Sequence, residues 1–165
     1  MKLNYETALI GRKVILAPYR LEHVPRYHTW MKDPQLLEAT GSEPLSMEEE
    51  IEMQRSWRDD PNKCTFIVHA SESVEEGDDR IPIDQFVVKE NLASMVGDVN
   101  LFLSEIEDDD EEGVEHNKKI VGEGSRVQAE IDIMIAEKDY QGKGIGKEAT
   151  SAMLLYGATK LGIGR

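Results

Sequence analysis

The sequence predicts an α+β domain with a mixed central sheet flanked by helices. Three observations predict it. β-rich runs stand at residues 13–19, 64–69, 94–103 and 128–136, and two stretches of helical periodicity lie between the first pair. The last run feeds a glycine-rich turn that opens directly into an amphipathic helix. Finally, 165 residues are enough for one domain with a real core and too few for two, so residues 1–165 read as a single domain.

Taken in order, KVILAPY (13–19) is a short strand ended by Pro18. In residues 21–31, Val24, Tyr27, His28 and Met31 recur at helical spacing, and Pro25 suits a first turn. A second helix starts at Ser46, where Ser46-Met47-Glu48-Glu49 has capping-box form. Met47, Ile51, Gln54 and Trp57 make its inward stripe before Asp60-Pro61 closes it. CTFIVH (64–69) is the second strand. SMVGDVNLFL (94–103) is the third, interrupted at Gly97 as a bulge or a close backbone approach would require. In QAEIDIMIA (128–136), Ile131, Ile133 and Ile135 alternate with Glu130, Asp132 and Met134. After the turn, Ile145, Ala149, Ala152, Met153 and Tyr156 form the buried stripe of the last helix.

Composition narrows the function classes. Lys and Arg number 19 against 33 Asp and Glu, a net charge of -14 that repels phosphate backbones and argues against nucleic acid as a partner. Much of the charge sits in acidic loops near 70–92 and 104–126, including EIEDDDEEGVE. Such runs are solvated loops, or they draw in a basic protein amine. No stretch approaches the ~20 apolar residues of a membrane span, and the N-terminus lacks a secretory signal. One cysteine, Cys64, excludes a disulfide framework and points to a reducing compartment, cytoplasmic or also nuclear. His23, His28, His69 and His116 show no spacing typical of a metal site. Trp30 and Trp57 read as core anchors, and Cys64 as buried rather than nucleophilic.

The turn Gln141-Gly142-Lys143-Gly144-Ile145-Gly146 has the chemistry of a phosphate cradle. The first-turn N–H groups of the following helix have no intrahelical partner, and the helix dipole adds positive potential there. Glycines let a phosphate approach the backbone. Lys143 and Lys147 add charge. A Walker A loop is excluded, because Gln141 and Glu148 stand where it needs Gly and Ser or Thr. Gly144-Ile145-Gly146-Lys147-Glu148-Ala149 does fit a dinucleotide fingerprint, although no βαβ unit follows it. A plain strand-to-helix turn is the third reading.

Gln141 to Gly146 also resembles the Q/R-x-x-G-x-G/A signature of the GNAT acetyltransferases, with strand and helix placed as in that family. The likeness extends upstream: KVILAPYRLEHVPRYHTWMKDPQLLEATGSEPL, CTFIV and MVGDVNLFL are similar to its N-acetyltransferase-9-like branch. The resemblance implies acetyl-CoA as co-substrate, its pyrophosphate held by Gln141, Gly142, Lys143, Gly144, Ile145, Gly146 and Lys147, and its pantetheine arm bordered by Met134, Ile135 and Ala136. It implies acetyl transfer to a protein amine, lysine or N-terminal, by direct attack in a ternary complex. Glu130, eleven residues before Gln141, is then the first candidate base and Asp132 the reserve, since an ammonium must lose a proton before it attacks. Equally, polar residues on an exposed strand face need no catalytic role. The oxyanion donor is expected at the Ala136 amide or its neighbour. Tyr156 reads as packing. The resemblance further implies a strand, helix and hairpin beyond Arg165 that carry the usual acid, so a truncated, weakly active or inactive species is expected. A non-catalytic module of the same fold that binds a basic partner is the alternative.

Overall fold

Five strands form one sheet whose spatial order repeats the chain order, and the computed structural model describes residues 2–71, 92–105, 127–161 and 163. They are β1 (Leu9–Ile10), β2 (Val14–Pro18), β3 (Lys63–Ala70), β4 (Met95–Glu105) and β5 (Val127–Ile135). Every pairing is antiparallel, so no parallel pair of the expected mixed sheet falls within the described residues. Among the described residues four helices flank it: α1 (Val24–Trp30), α2 (Pro34–Thr40), α3 (Met47–Asp59) and α4 (Ile145–Lys160). None of them is long and apolar enough to cross a membrane. The acidic runs at 75–79 and 106–115 lie outside the described residues. β3 and β4 reach 70 and 105, farther into the two acidic spans than their composition suggests.

Local chemistry accounts for the elements. Ser46 caps α3 by the expected capping box: its Oγ accepts from Glu49 N at 3.3 Å, and Glu49 Oε2 accepts from Ser46 N at 2.8 Å. The sequence reading missed β1 and α2. β1 has only two residues. α2 buries none of its residues fully, so it has no apolar stripe to betray it. Its ends are marked instead, by Asp33 accepting from Gln35 N at 2.9 Å and by Gly41 in the left-handed conformation.

Each face of the sheet has its own core. One face packs Val14, Leu16, Phe66, Val68, Val99 and Leu101 against Ile145, Ala149, Met153 and Tyr156 of α4. Tyr156 is indeed packing. Its ring meets Phe66 edge-on, and its hydroxyl donates to the Leu3 carbonyl at 2.7 Å. The other face lies under α1 and α3, with Tyr19, Tyr27, Trp30, Ile67, Met95 and Met134 in contact. This second core is the more polar. The deepest residues of α3 are not Met47, Ile51 or Trp57 but Glu50 and Gln54, each 1% exposed.

Gly97 serves as both of the devices anticipated for it. Opposite β3 the pairing jumps from Val68–Gly97 to His69–Met95, leaving Val96 as the extra residue of a bulge. Opposite β5, Gly97 faces Ile135, and any Cβ on it would run into the Met134 carbonyl.

Candidate functional site

β5 is the last strand of the sheet among the described residues, so one of its edges is open. The phase of its pairing decides which backbone groups face that edge. Ala136 N and Glu137 N both donate to the Val96 carbonyl, at 2.9 and 3.2 Å. With Gly97 opposite Ile135, this pattern makes that pair a non-hydrogen-bonded one. Met134 N–H therefore turns toward β4, and Ile135 turns both its N–H and its carbonyl to the open edge. The Ile135 carbonyl there accepts from Gln141 Nε2 at 2.8 Å. Of the expected oxyanion donors, Ala136 or its neighbour, the Ala136 amide is committed to Val96, and the neighbouring Ile135 N–H faces the edge that is open among the described residues.

Beyond β5 the chain makes a 3-10 turn at Lys138–Tyr140 and enters the glycine segment. Gly142 and Gly144 have φ of 72° and 84°, the left-handed region that a side chain would strain. Gly144 is the N-cap of α4 and offers no side chain for capping, so the first-turn amides point outward unspent. Gly146 is different. A Cβ there would meet Ile135 and Ile133 side chains at ordinary distances, so its backbone needs no glycine. Together with the end of β5, the turn encloses an open groove of about 540 Å³ lined by Ile135, Tyr140, Gln141, Gly142, Gly144, Gly146 and Lys147. Ile145 points into the core at 4% exposure, as do Met134 and Ala136 at 6% and 8%, and none of the three lines the groove. Lys143 lays its ammonium 5.3 Å from the Tyr140 ring centre.

A residue far away in sequence holds this turn in place. Lys13 Nζ donates to the Lys143 carbonyl at 2.7 Å, while Lys13 N donates to Glu148 Oε1 at 2.8 Å. The start of β2 is thus tied to the start of α4. Lys13→Met should break the first of these bonds at a cost of about 0.5–1.5 kcal/mol. Hydrogen exchange at Glu148 N–H, which donates to the Gly144 carbonyl at 3.1 Å, should then quicken up to about tenfold with little change in global stability. Unchanged exchange would mean that the turn holds itself.

Glu137 is a second residue that the sequence reading overlooked. Its Oε1 accepts from Arg26 Nη2 and from Trp30 Nε1, both at 2.8 Å, so it pins α1 against the end of β5. A carboxylate directly after the strand predicted at 128–136 was the available signal.

Glu130 and Asp132 both lie exposed on the α1/α3 side of β5, opposite Phe102 and Asn100 respectively. Phe102 packs edge-on with Trp57, and the Lys63 ammonium sits over both rings. The face that carries the two candidate carboxylates therefore borders the polar core. Cys64 is fully buried and its thiol is pushed up to about 12 by burial, which removes it as a nucleophile.

The family model of an acetyltransferase (GNAT) domain matches residues 13–165. The chain is 43% identical over 165 residues to an N-acetyltransferase 9-like protein of Nematostella vectensis, covering all of this chain and 70% of that protein. It is 44% identical over 163 residues to the alpha/beta-tubulin-N-acetyltransferase 9 of Mus musculus, covering 99% of this chain and 57% of the relative. The chain thus spans between about half and three quarters of the length of the curated relatives it matches. Among solved structures, a GNAT-family acetyltransferase from Bacillus anthracis superposes with a TM-score of 0.57 at 15% identity, over 95% of this chain and 69% of that one.

Proposed function

We propose that this chain, which belongs to the GNAT acetyltransferase family, transfers an acetyl group from acetyl-CoA to a protein amine. The observation that carries the reading is the union of two features in one groove: a free strand edge presenting Ile135 N–H and a left-handed glycine turn presenting unspent helix amides. The residues fit the ligand. Gly142 and Gly144 put no Cβ over the turn, so a pyrophosphate can reach the amides of Ile145, Gly146 and Lys147, with Lys143 and Lys147 supplying charge. Bound there, acetyl-CoA supplies the activated thioester.

The protein does the remainder by position. Met134, Ile135 and Ala136 form the backbone rail for the pantetheine arm, and Gln141 holds the Ile135 carbonyl so that the rail meets the turn at a fixed angle. Ile135 N–H stabilises negative charge on the acetyl oxygen during direct attack. Glu130 or Asp132 takes the proton from the incoming ammonium. A basic acceptor suits a chain of net charge -14. The relative from Mus musculus is named for tubulin, which makes a tubulin N-terminus or lysine the first acceptor to try. A reducing compartment, cytoplasmic or nuclear, suits the single buried thiol.

Thermal unfolding of the purified chain with acetyl-CoA, and with NAD as control, tests the donor site. At a hundred times its dissociation constant acetyl-CoA should add ~2.7 kcal/mol of stability, and Gly144→Val should abolish that gain. A gain with NAD alone would overturn the reading. Glu130→Gln and Asp132→Asn, assayed side by side on a tubulin peptide, should keep the acetyl-CoA gain. One of them should lose turnover by about 100-fold or more.

A further inference from the structure

A set of buried polar side chains lies between the sheet and helices α1 and α3, next to the groove but unused by it. Asp98 of β4 is 1% exposed. Its Oδ2 accepts from Asn100 Nδ2 at 2.7 Å, and Asn100 Oδ1 accepts from Thr65 Oγ1 at 2.7 Å, which fixes one side of the carboxylate. Among the described residues its Oδ1 meets no hydrogen-bond partner, and the same is true of Tyr19 Oη, Glu50 Oε2 and Gln54 Oε1. All four side chains are 1% exposed. Of these four atoms three are acceptors, and the hydroxyl alone can donate. A donor added to this cluster relieves buried acceptors that are costly to leave unmet. A proton is one such donor, and it needs no room.

Several titratable groups surround Asp98. Tyr19, at the end of β2, and Tyr27, on α1, both lie within electrostatic reach of Asp98 and of Glu50 from α3. Glu50 Oε1 stands 3.6 Å from His28 Nδ1 of α1. β3 presents only the apolar Ile67 directly opposite. From β5 the facing group is Asp132. Asn100 pairs with Asp132 and Asp98 with Met134, so the two aspartates are diagonal neighbours on one face of the sheet. Asp132 is exposed and Asp98 is buried. Glu130, opposite Phe102, stands one pair farther along.

We propose that Asp98 is the proton store of the acceptor side, receiving through Asp132 the proton that the acceptor ammonium gives up. This deepens the acetyl-transfer reading and rests on it. The N–H bond of the ammonium breaks and an O–H bond forms on Asp132, which passes the proton to Asp98. The freed nitrogen lone pair attacks the acetyl carbon, the carbon–sulfur bond breaks, and the departing thiolate takes the second proton that nitrogen sheds. Asp98 then returns its proton to solvent by the same path. Asp132 touches the amine; Asp98 acts through it and is a positioning residue. Burial above all, and the Asp132 charge after it, push the Asp98 carboxyl up to about 7 against the opposing hydrogen bond from Asn100. A group near that value exchanges protons readily at neutral pH.

Asp98→Asn in the 165-residue chain tests this, because the amide keeps the shape and can still accept from Asn100. The wild-type kcat/KM should rise with pH to a plateau with its bend near 7. The variant should lose that bend and about 100-fold of its rate at pH 7.5, with acetyl-CoA protection unchanged. An unaltered bend would overturn the inference and leave acetyl transfer standing. Infrared spectroscopy of the wild-type chain keeps the idea open to refutation if the variant folds poorly. A protonated-carboxyl band should fade as pH rises through 7, and Asp98→Asn should lack it. No titrating band would refute the proton store on its own. A chain that shows the band but acetylates no protein amine would instead overturn the acetyl-transfer reading and, with it, the use assigned to the store.

Discussion

Gly97→Ala is expected to destabilise the fold by about 3 kcal/mol, at the upper end of what overpacking usually costs. The close side of an antiparallel pair brings Cα atoms to about 4.5 Å, and Gly97 meets Ile135 on that side. An added Cβ would collide with the Met134 carbonyl and crowd the Ile135 Cα, all backbone with no rotamer to yield. The strain has to be released by moving the Met134–Ile135 peptide, the same one that presents the Ile135 N–H to the groove. Two readouts should therefore move together: the urea midpoint of the pure chain and its protection by acetyl-CoA. An alanine variant with the wild-type midpoint would show that β4 and β5 are not packed this closely. A variant destabilised but still protected in full would separate the pairing from the groove.

Asp98→Asn should have the second large effect, and its sign depends on pH. Asp98 keeps its proton in the fold up to about 7, because burial disfavours the carboxylate. The unfolded chain releases it in the ordinary carboxylate range, about 4. Between these values the folded state binds more protons than the unfolded one, so stability falls as pH rises. The contribution of Asp98 is fully present below about pH 4 and lost as pH passes through 7. Above that, the fold carries a buried carboxylate at a cost on the order of 4 kcal/mol. Asparagine removes the charge and offers an N–H to the unmet acceptors beside it. The variant should match the wild type near pH 4.5 and exceed it by about 2–4 kcal/mol at pH 8.5. Thermal melts across that range decide it, and an equal gap at both ends would mean that Asp98 does not titrate in the fold. A more stable but slower variant is the expected trade at a site that stores a proton.

Both expectations concern one short segment, and the sequence announced only half of it. Gly97 stood out because glycine interrupts a strand for a reason. Nothing in the sequence singled out Asp98 and Asn100, which are buried on the face that lies under α1 and α3. The sequence stripe on α3 gave half the warning: it included Gln54 beside Met47, Ile51 and Trp57, but Glu50, which lies outside it, is buried just as deeply. Apolar residues mark an inward face only when the core beneath is apolar. Here it is not.

What the sequence alone determined is the periodic and the local. Alternation identified β5 and its two faces, the capping box placed α3 to the residue, and the glycine spacing identified the turn and the family whose model covers 13–165. These signals survive because they depend on neighbours within a few positions. The tertiary structure decided the rest. Lys13 meets Lys143 and Glu148 across more than a hundred residues, Glu137 clasps Arg26 and Trp30, and Asp98 stands diagonal to Asp132. It also chose Ile135 over Ala136 as the edge-facing amide. Period two tells which face a side chain takes, but the edge to which an N–H turns is set by the phase of pairing with the next strand, and that phase is fixed only when the two strands meet.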